Sequence, residues 1–162
     1  MDCMEIKILD DRIGSTIPLP CYTTLMAAGL DLAACIDAPM TLAPQQCALI
    51  STGLAIYIKD PGYMGLILPR SGLGHKHGLV LGNGSGVIDA DYQGELRVSC
   101  FNRSQTPYTI EEGDRIAQLI IQPIARPNFV IVSEFTEQQK RIKTGFGSTG
   151  VKAIFPQDDV VQ

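Results

Sequence analysis

The sequence lacks an excess of positive charge, because 13 lysines and arginines face 17 aspartates and glutamates, for a net charge of −4. No general positive field therefore attracts nucleic acid, and we expect no nucleic-acid partner. No apolar stretch is as long as a membrane span, and the acidic N-terminus lacks the features of a secretory leader. We therefore predict a cytoplasmic protein without a membrane partner, in which local cations or a metal ion meet any anionic ligand.

The chain also lacks the usual signatures of disulfides, transition-metal sites and nucleotide-binding loops. Five cysteines form no Cys-x-x-Cys pair and leave an odd one over, which favours reduced structural thiols. His75 and His77 have no third histidine or cysteine at a recognised metal spacing, so we expect no transition-metal site. They are also the only histidines that could activate a thiol, and neither is an identifiable partner of a cysteine, so we expect no catalytic cysteine. A Walker motif is absent, and no Gly-x-Gly-x-x-Gly opens a helix.

Short apolar runs, separated by turn residues at steady intervals, are typical of a small all-β barrel or sandwich. The 16 glycines and 10 prolines are spread along the chain and disfavour long helices. One short helical turn is predicted near Ser71, with Ser71 as its cap. The predicted strands are Glu5–Leu9, Leu30–Ala34, Cys47–Thr52, Leu54–Ile58, Met64–Leu68, Gly86–Ile88, Leu96–Asn102, Tyr108–Ile110, Ile116–Pro123 and Phe129–Val132.

The composition changes near residue 135, where the chain becomes polar and then rich in glycine. We predict a β-barrel domain over residues 1–134 and a flexible C-terminal arm over residues 135–162. The arm mixes a cation, an aromatic ring and hydroxyl groups with glycines, whose backbone N–H groups can approach phosphate oxygens closely. This mixture favours a flap that closes over an anionic, aromatic ligand, although a terminus without a role is the alternative.

Two segments carry charged residues in unusual settings. Asp31 lies in an apolar strand, where a carboxylate must be paired, near a metal or at an exposed edge. Arg70 and Ser71, with the glycine after them, could hold phosphate oxygens, although such a segment is also ordinary in loops.

Residues 82–96 carry the most chemical information. The Asn-Gly pair at 83–84 predicts a β-hairpin, whose exposed backbone could read the edge of a nucleobase. Asp89 follows the short apolar strand and is a candidate general base, unless it is a solvated acid in a plain hairpin.

Gln118 stands in a strongly apolar strand and needs partners if it is buried. Arg115 beside Asp114 is interpreted as a structural ion pair.

Five segments together resemble the five motifs of the trimeric deoxyuridine triphosphate nucleotidohydrolases, the dUTPase family. The resemblance spans residues 27–150, and the motifs occur in the family's order and spacing. In chain order they read AGLDLAA, PRSGLGHKHG, GVIDADYQGEL, GDRIAQLI and RIKTGFGSTG.

This resemblance implies a distorted jelly-roll-like β-barrel and a homotrimer whose three active sites are shared between subunits. It also implies Mg²⁺-dependent hydrolysis of dUTP to dUMP and pyrophosphate, with water attacking the α-phosphate in line. Such an activity lowers dUTP and supplies dUMP for thymidylate synthesis. Phosphoryl transfer needs chiefly positioning and charge neutralisation, which agrees with the absence of an all-protein metal cage.

The resemblance also implies a role for each motif residue. Asp89 would activate the water, Tyr92 would pack under deoxyribose and reject a 2′-hydroxyl, and Asp31 would support Mg²⁺ through water. Phe146 would stack on uracil. The implied uracil-reading residues are Asn83, Gly86, Val87 and Ile88. The implied phosphate-binding residues are Arg70, Ser71, Gly72 and Gln118 in the barrel and Arg141, Gly147, Ser148 and Thr149 in the arm.

The sequence departs from the family pattern in two places. Thr144 stands where a glycine is common, and residues 151–162 extend beyond the fifth motif.

Two other functions are alternatives. A dCTP deaminase-like enzyme would need a catalytic glutamate, for which Glu95 is a poor candidate. A catalytically silent nucleotide-sensing module is the other alternative, against which the retained Asp89 counts.

Overall fold

The computed structural model describes residues 3–136. Within them the chain forms ten strands and one short helix. The elements are β1 (Glu5–Ile8), β2 (Leu30–Ala33), β3 (Met40–Leu42), β4 (Cys47–Tyr57), β5 (Tyr63–Leu68), α1 (Ser71–His77), β6 (Leu79–Leu81), β7 (Gly86–Ile88), β8 (Glu95–Asn102), β9 (Tyr108–Ile110) and β10 (Arg115–Pro123).

The strands form three antiparallel sheets. One has the order β1-β4-β8-β6, a second has the order β2-β10-β5-β7, and β3 pairs with β9 alone. Neighbours in these orders are mostly distant in sequence, which is the pattern of a jelly roll rather than of a simple meander. The predicted all-β, jelly-roll-like fold is thus confirmed.

The core lies between the sheets and is built by strands that alternate between buried and more exposed residues. In β8, Leu96, Val98 and Cys100 are buried, whereas the residues between them are more exposed. Asn102 ends this strand and is fully buried. Its amide nitrogen donates to the carbonyl oxygens of Leu42 and Thr106 at 3.0 and 2.8 Å, so this polar side chain ties three chain segments together.

Several sequence predictions need correction. The predicted strands 47–52 and 54–58 are one strand that ends at Tyr57, because Gly53 adopts a φ of +66° at an irregular pairing and lets β4 continue. Met40–Leu42 and Leu79–Leu81 are three-residue strands that were not predicted. Residues 129–132 are exposed and form no strand.

The predicted hairpin at residues 82–96 is also wrong. Leu79–Leu81 pairs with β8 in one sheet, whereas Gly86–Ile88 pairs with β5 in another. The Asn83-Gly84 turn therefore carries the chain from one sheet to the other instead of closing a two-stranded ribbon. Ser71 is likewise the first residue of the helix and not its cap, since Arg70 occupies the cap position without a side-chain cap bond.

All five cysteines are free thiols. Cys35 and Cys100 are buried, and burial raises the pKa of both, that of Cys100 to about 12. Both thiols stay protonated at neutral pH and are poor nucleophiles, which agrees with the structural role predicted for them.

Arg12 connects the turns at one end of the barrel. Its guanidinium pairs with Asp10, Asp37 and Glu112 at 2.8 to 3.0 Å. The hydrogen bonds from Arg12 lower the pKa of the Asp10 carboxyl well below its usual range. Because Thr16 also donates to Glu112 at 2.8 Å, the turn that precedes β10 is held by two side chains.

Contacts divide the chain into two units after Arg126. The first unit contains the helix and all the strands described above. The described part of the second unit, residues 127–136, carries exposed apolar side chains such as Phe129, Ile131 and Phe135. The predicted boundary at residue 135 stays a prediction. In the part of the chain that the structure describes, no helix is long and apolar enough to cross a membrane.

Candidate active site

A polar cleft of about 510 Å³ opens where the loop before β2, the start of α1 and the start of β10 meet. It gathers residues from the first, second and fourth motif segments. The residues that line it are Thr23, Ala27, Ala28, Gly29, Asp31, Arg70, Ser71, Gly72, Leu73, Lys76, His77, Arg115 and Gln118.

Asp31 lies at the centre of the charged wall of this cleft. One carboxylate oxygen accepts from Nε of Arg70 at 2.9 Å, and the other accepts from a terminal nitrogen of Arg115 at 3.0 Å. Arg70 also donates to the backbone carbonyl of Arg115 at 3.1 Å. One carboxylate and two guanidinium groups leave the cluster with a net positive charge, which suits an anionic ligand.

The pairing between Arg115 and Asp31 corrects the sequence interpretation. Arg115 does not pair with Asp114, whose carboxylate instead accepts from the backbone nitrogen of Glu111 at 2.9 Å. The sequence signal that could have identified Arg115 was the carboxylate of Asp31, which needed cationic partners inside an apolar strand.

Gln118 stands opposite Asp31 in the pairing of β2 with β10. Its side-chain nitrogen donates to the carbonyl oxygen of Pro69 at 3.0 Å, so the half-buried amide has the partner that the sequence analysis required. A Cβ atom on Gly29 would lie 3.2 Å from the Leu119 carbonyl oxygen and 3.3 Å from the side-chain oxygen of Gln118. The glycine therefore allows the cleft backbone to approach Gln118 closely.

The first turn of α1 supplies Ser71 and Gly72 to the same cleft. No heavy atom lies within 4 Å of the position that a Cβ on Gly72 would occupy, so this backbone faces open space. His77 also borders the cleft and packs its ring against Tyr108, with centroids 5.6 Å apart. In the part of the chain that the structure describes, no group of three potential ligands could hold a metal ion.

The residues expected to read uracil and activate water lie elsewhere. Asp31 is in β2 and Ile88 is in β7, at opposite edges of one four-stranded sheet, so three strand spacings of about 4.8 Å separate them. Gln118 pairs with Asp31 on one side and with Leu68 of β5 on the other. Ile88 pairs with Gly65, which lies three residues away from Leu68 along β5. Within one chain, the predicted phosphate-binding residues therefore lie more than about 10 Å from Asp89.

Asp89 and Tyr92 occupy a turn after β7. Both side chains are exposed, and the Tyr92 backbone nitrogen donates to the Asp89 carbonyl at 3.1 Å. The Tyr92 hydroxyl donates to the carbonyl oxygen of Glu95 at 2.9 Å. Asn83 lies in the exposed turn before β7. The arm residues Arg141, Phe146, Gly147, Ser148 and Thr149 lie outside the described residues.

The fold and the cleft define a jelly-roll-like protein with a polar cleft whose charged cluster carries a net positive charge. The dUTPase family profile matches residues 15–150. A deoxyuridine 5'-triphosphate nucleotidohydrolase from Idiomarina loihiensis is 61% identical over 150 residues, which cover 93% of this chain and 99% of that relative. The enzyme of the same name from Legionella pneumophila (strain Paris) is 59% identical over 147 residues, 91% of this chain and 96% of the relative. The chain belongs to the dUTPase family.

Solved structures agree with this assignment. A mutant dUTPase of Staphylococcus bacteriophage 80alpha, in complex with dUpNHpp, matches with a TM-score of 0.81 at 30% identity over 93% of this chain and 100% of that one. A mutant dUTPase from phage phi11 of S. aureus matches with a TM-score of 0.73 at 28% identity over 84% and 100%. That structure is described as revealing the coordination of a structural Mg(II) ion.

Proposed function

We propose that this protein is a dUTP diphosphatase, which hydrolyses dUTP to dUMP and pyrophosphate. Membership of the dUTPase family and the names of relatives at 59–61% identity support this function. The observation that carries it is the cationic cleft in which Arg70, Ser71 and Gln118 converge from separate elements. A triphosphate is an anion that this arrangement suits.

In the proposed reaction, Asp89 accepts the proton of a water molecule that attacks the α-phosphorus in line with the leaving pyrophosphate. Its exposure in the turn after β7 supports this role, because a water molecule can reach the carboxylate. Arg70, Ser71, Gly72 and Gln118 hold phosphate oxygens and disperse their charge. No covalent nucleophile is needed, since water attacks phosphorus directly.

Uracil and deoxyribose are recognised at the edge of the sheet. As the last strand in its sheet, β7 has one edge without a partner strand in the described chain, so its backbone offers donors and acceptors to a base. Asn83, Gly86, Val87 and Ile88 read uracil there. Tyr92 packs under the sugar and leaves no space for a 2′-hydroxyl.

The active form is a homotrimer with sites shared between subunits. The separation between Asp89 and the phosphate cleft supports this, because one chain cannot bring both groups to one phosphorus atom. A second subunit supplies the β7 edge, and the fifth motif of a third supplies Arg141, Gly147, Ser148 and Thr149 to the distal phosphates. Phe146 from that motif stacks on uracil.

The cofactor is Mg²⁺. Asp31 is the carboxylate of the described cleft, and two hydrogen bonds leave its oxygens further acceptor capacity. These residues fit an ion that keeps several waters and is held mainly by substrate phosphates. Asp31 would contact it through water, and the ion would neutralise charge on the phosphate oxygens. We place the reaction in the cytoplasm, where it lowers dUTP and supplies dUMP for thymidylate synthesis.

The test is pyrophosphate release by the full chain with Mg²⁺ and each of dUTP, dCTP, dTTP and UTP. We expect rapid release from dUTP alone. Ammonia release from dCTP would indicate a deaminase instead. Binding of dUTP without product would indicate a nucleotide-sensing module, and either outcome would overturn the proposal.

A further inference from the structure

We infer that Arg115 is a positioning residue, which together with Asp31 holds the guanidinium of Arg70 in the orientation that receives substrate phosphate. The inference rests on the proposed function for the identity of the substrate. It assigns Arg115 a part in phosphate binding without direct contact between Arg115 and the phosphate.

The first step is the set of contacts around Arg70. A guanidinium group has five N–H donors. In Arg70 the Nε donor is used by Asp31 at 2.9 Å, and a terminal donor is used by the carbonyl oxygen of Arg115 at 3.1 Å. Within the described part of the chain, the other three donors are free. The protein therefore fixes two of the five donors while the rest stay available for an anion.

The second step is that Arg115 contributes twice to this arrangement. Its backbone carbonyl accepts from Arg70, and its side chain donates to the carboxylate oxygen of Asp31 that Arg70 leaves free. Both oxygens of Asp31 are thus bonded, which fixes the rotation of the carboxylate. The Asp31 side chain is only 22% exposed, whereas the Arg115 side chain is 54% exposed, so water competes for this pair mainly at Arg115.

The third step is a bulge in β10 that aims Arg115 at Asp31. Gln118 pairs with Asp31 and Ala117 with Leu32, but the next pair joins Arg115 to Ala33, so Ile116 is an extra residue. Because side chains alternate between faces, the extra residue moves Arg115 to the face of Asp31 and Gln118. Without it, Arg115 would point to the opposite face.

The burial pattern of β10 agrees with this bulge. Ile116 and Ala117 are consecutive residues and both are buried, which is consistent with an extra residue interrupting the alternation of the strand. The turn before Arg115 is fixed as well, since Arg12 and Thr16 both bond the carboxylate of Glu112. Two features of the backbone therefore specify the direction of one arginine side chain.

A double-mutant cycle tests the inference. We would measure the affinity of inorganic triphosphate and of dUpNHpp for the unaltered protein, Arg115→Ala, Arg70→Ala and the double variant. We expect Arg115→Ala to weaken both affinities about 10-fold to 100-fold when Arg70 is present, the effect of a misplaced binding group. In the Arg70→Ala background the same change should have little effect, because no guanidinium remains to be positioned.

Two further variants complete the experiment. Arg115→Lys keeps a donor for Asp31 and should restore most of the affinity. Arg126→Ala removes an exposed arginine outside the cleft and should change nothing. Melting temperatures, measured on the same samples, report whether each variant remains folded.

The outcomes separate the possibilities. Equal losses in both backgrounds would mean that Arg115 binds phosphate directly, and unchanged affinity in Arg115→Ala would mean that it has no role there. Either result overturns the inference. If the unaltered protein releases no pyrophosphate from dUTP but the cycle with inorganic triphosphate shows the expected coupling, the proposed function fails and the inference stands.

Discussion

The hydroxyl of Tyr92 donates to the carbonyl oxygen of Glu95 at 2.9 Å across a glycine that leaves space for the ring. A Cβ atom on Gly94 would lie 2.6 Å from the hydroxyl oxygen and 2.7 Å from the adjacent ring carbon, closer than real contacts allow. Gly94 is therefore required for the observed ring position. The same turn carries Asp89, whose backbone carbonyl accepts from the Tyr92 backbone nitrogen at 3.1 Å.

This relationship predicts two routes to weaker sugar discrimination. Tyr92→Ala removes the ring and should raise hydrolysis of UTP relative to dUTP, because space opens for a 2′-hydroxyl. Gly94→Ala keeps the ring but displaces it, and should change the ratio in the same direction. The measurement is kcat/KM for both nucleotides.

The matched control is Gln93→Ala, which alters an exposed residue in the same turn and should leave the ratio unchanged. A ratio that stays constant in both Tyr92→Ala and Gly94→Ala would remove Tyr92 from sugar recognition.

Asp89→Asn tests the proposed general base. The amide cannot accept the proton of the attacking water, so turnover of dUTP should fall about 10²- to 10⁴-fold while dUpNHpp still binds. Asp91→Asn changes an exposed carboxylate two residues away and should keep normal turnover. Single-turnover rates and calorimetric affinities give the two quantities. Near-normal turnover in Asp89→Asn would exclude this residue from the mechanism.

The sequence predicted the strands that carry the motifs because apolar periodicity and turn residues are local signals. Gly86–Ile88 and Tyr108–Ile110 were predicted with the observed bounds. The strands β3 and β6 were missed, although they are no shorter than these two, so length does not explain the difference. Phe129–Val132 shows the converse case, in which a strand-like composition has no partner strand in the described chain.

Pairing between distant segments was less accessible from the sequence. The Asn83-Gly84 pair is a strong local hairpin signal. Its flanking strands nevertheless join different sheets, because β6 pairs with β8 and β7 pairs with β5. Arg115 was assigned to its neighbour Asp114, although a bulge turns it toward a residue 84 positions away. Such a bulge depends on the partner strand and leaves little trace in a single sequence.

The end of α1 offers a test of stability close to the cleft. Gly78 follows the helix with a φ of +72°, and a Cβ atom there would lie 2.8 Å from the Cβ of Ser104. Gly78→Ala should therefore lower the free energy of unfolding by at least about 1 kcal/mol, from backbone strain together with the clash. Chemical denaturation measures the change.

Gly72→Ala is the matched control for this prediction. Gly72 lies within the same helix, and a Cβ atom there would meet no other heavy atom within 4 Å. We expect unchanged or slightly higher stability, because alanine favours the helical conformation over glycine. Equal destabilisation by the two substitutions would contradict the explanation based on φ and contact distance.

The last prediction concerns residues 141–162. The proposed fifth motif gains partners for Arg141 and Phe146 when base and phosphates are present, and ordering backbone costs about 1–2 kcal/mol per residue, so closure should depend on ligand. Deleting residues 141–162 should leave the melting temperature and oligomeric mass nearly unchanged while strongly lowering dUTP turnover. Phe146→Ala should reproduce much of that loss, whereas Phe155→Ala changes an aromatic residue outside the motif and should not. A truncated protein that dissociates or melts far earlier would instead show that the segment stabilises the fold.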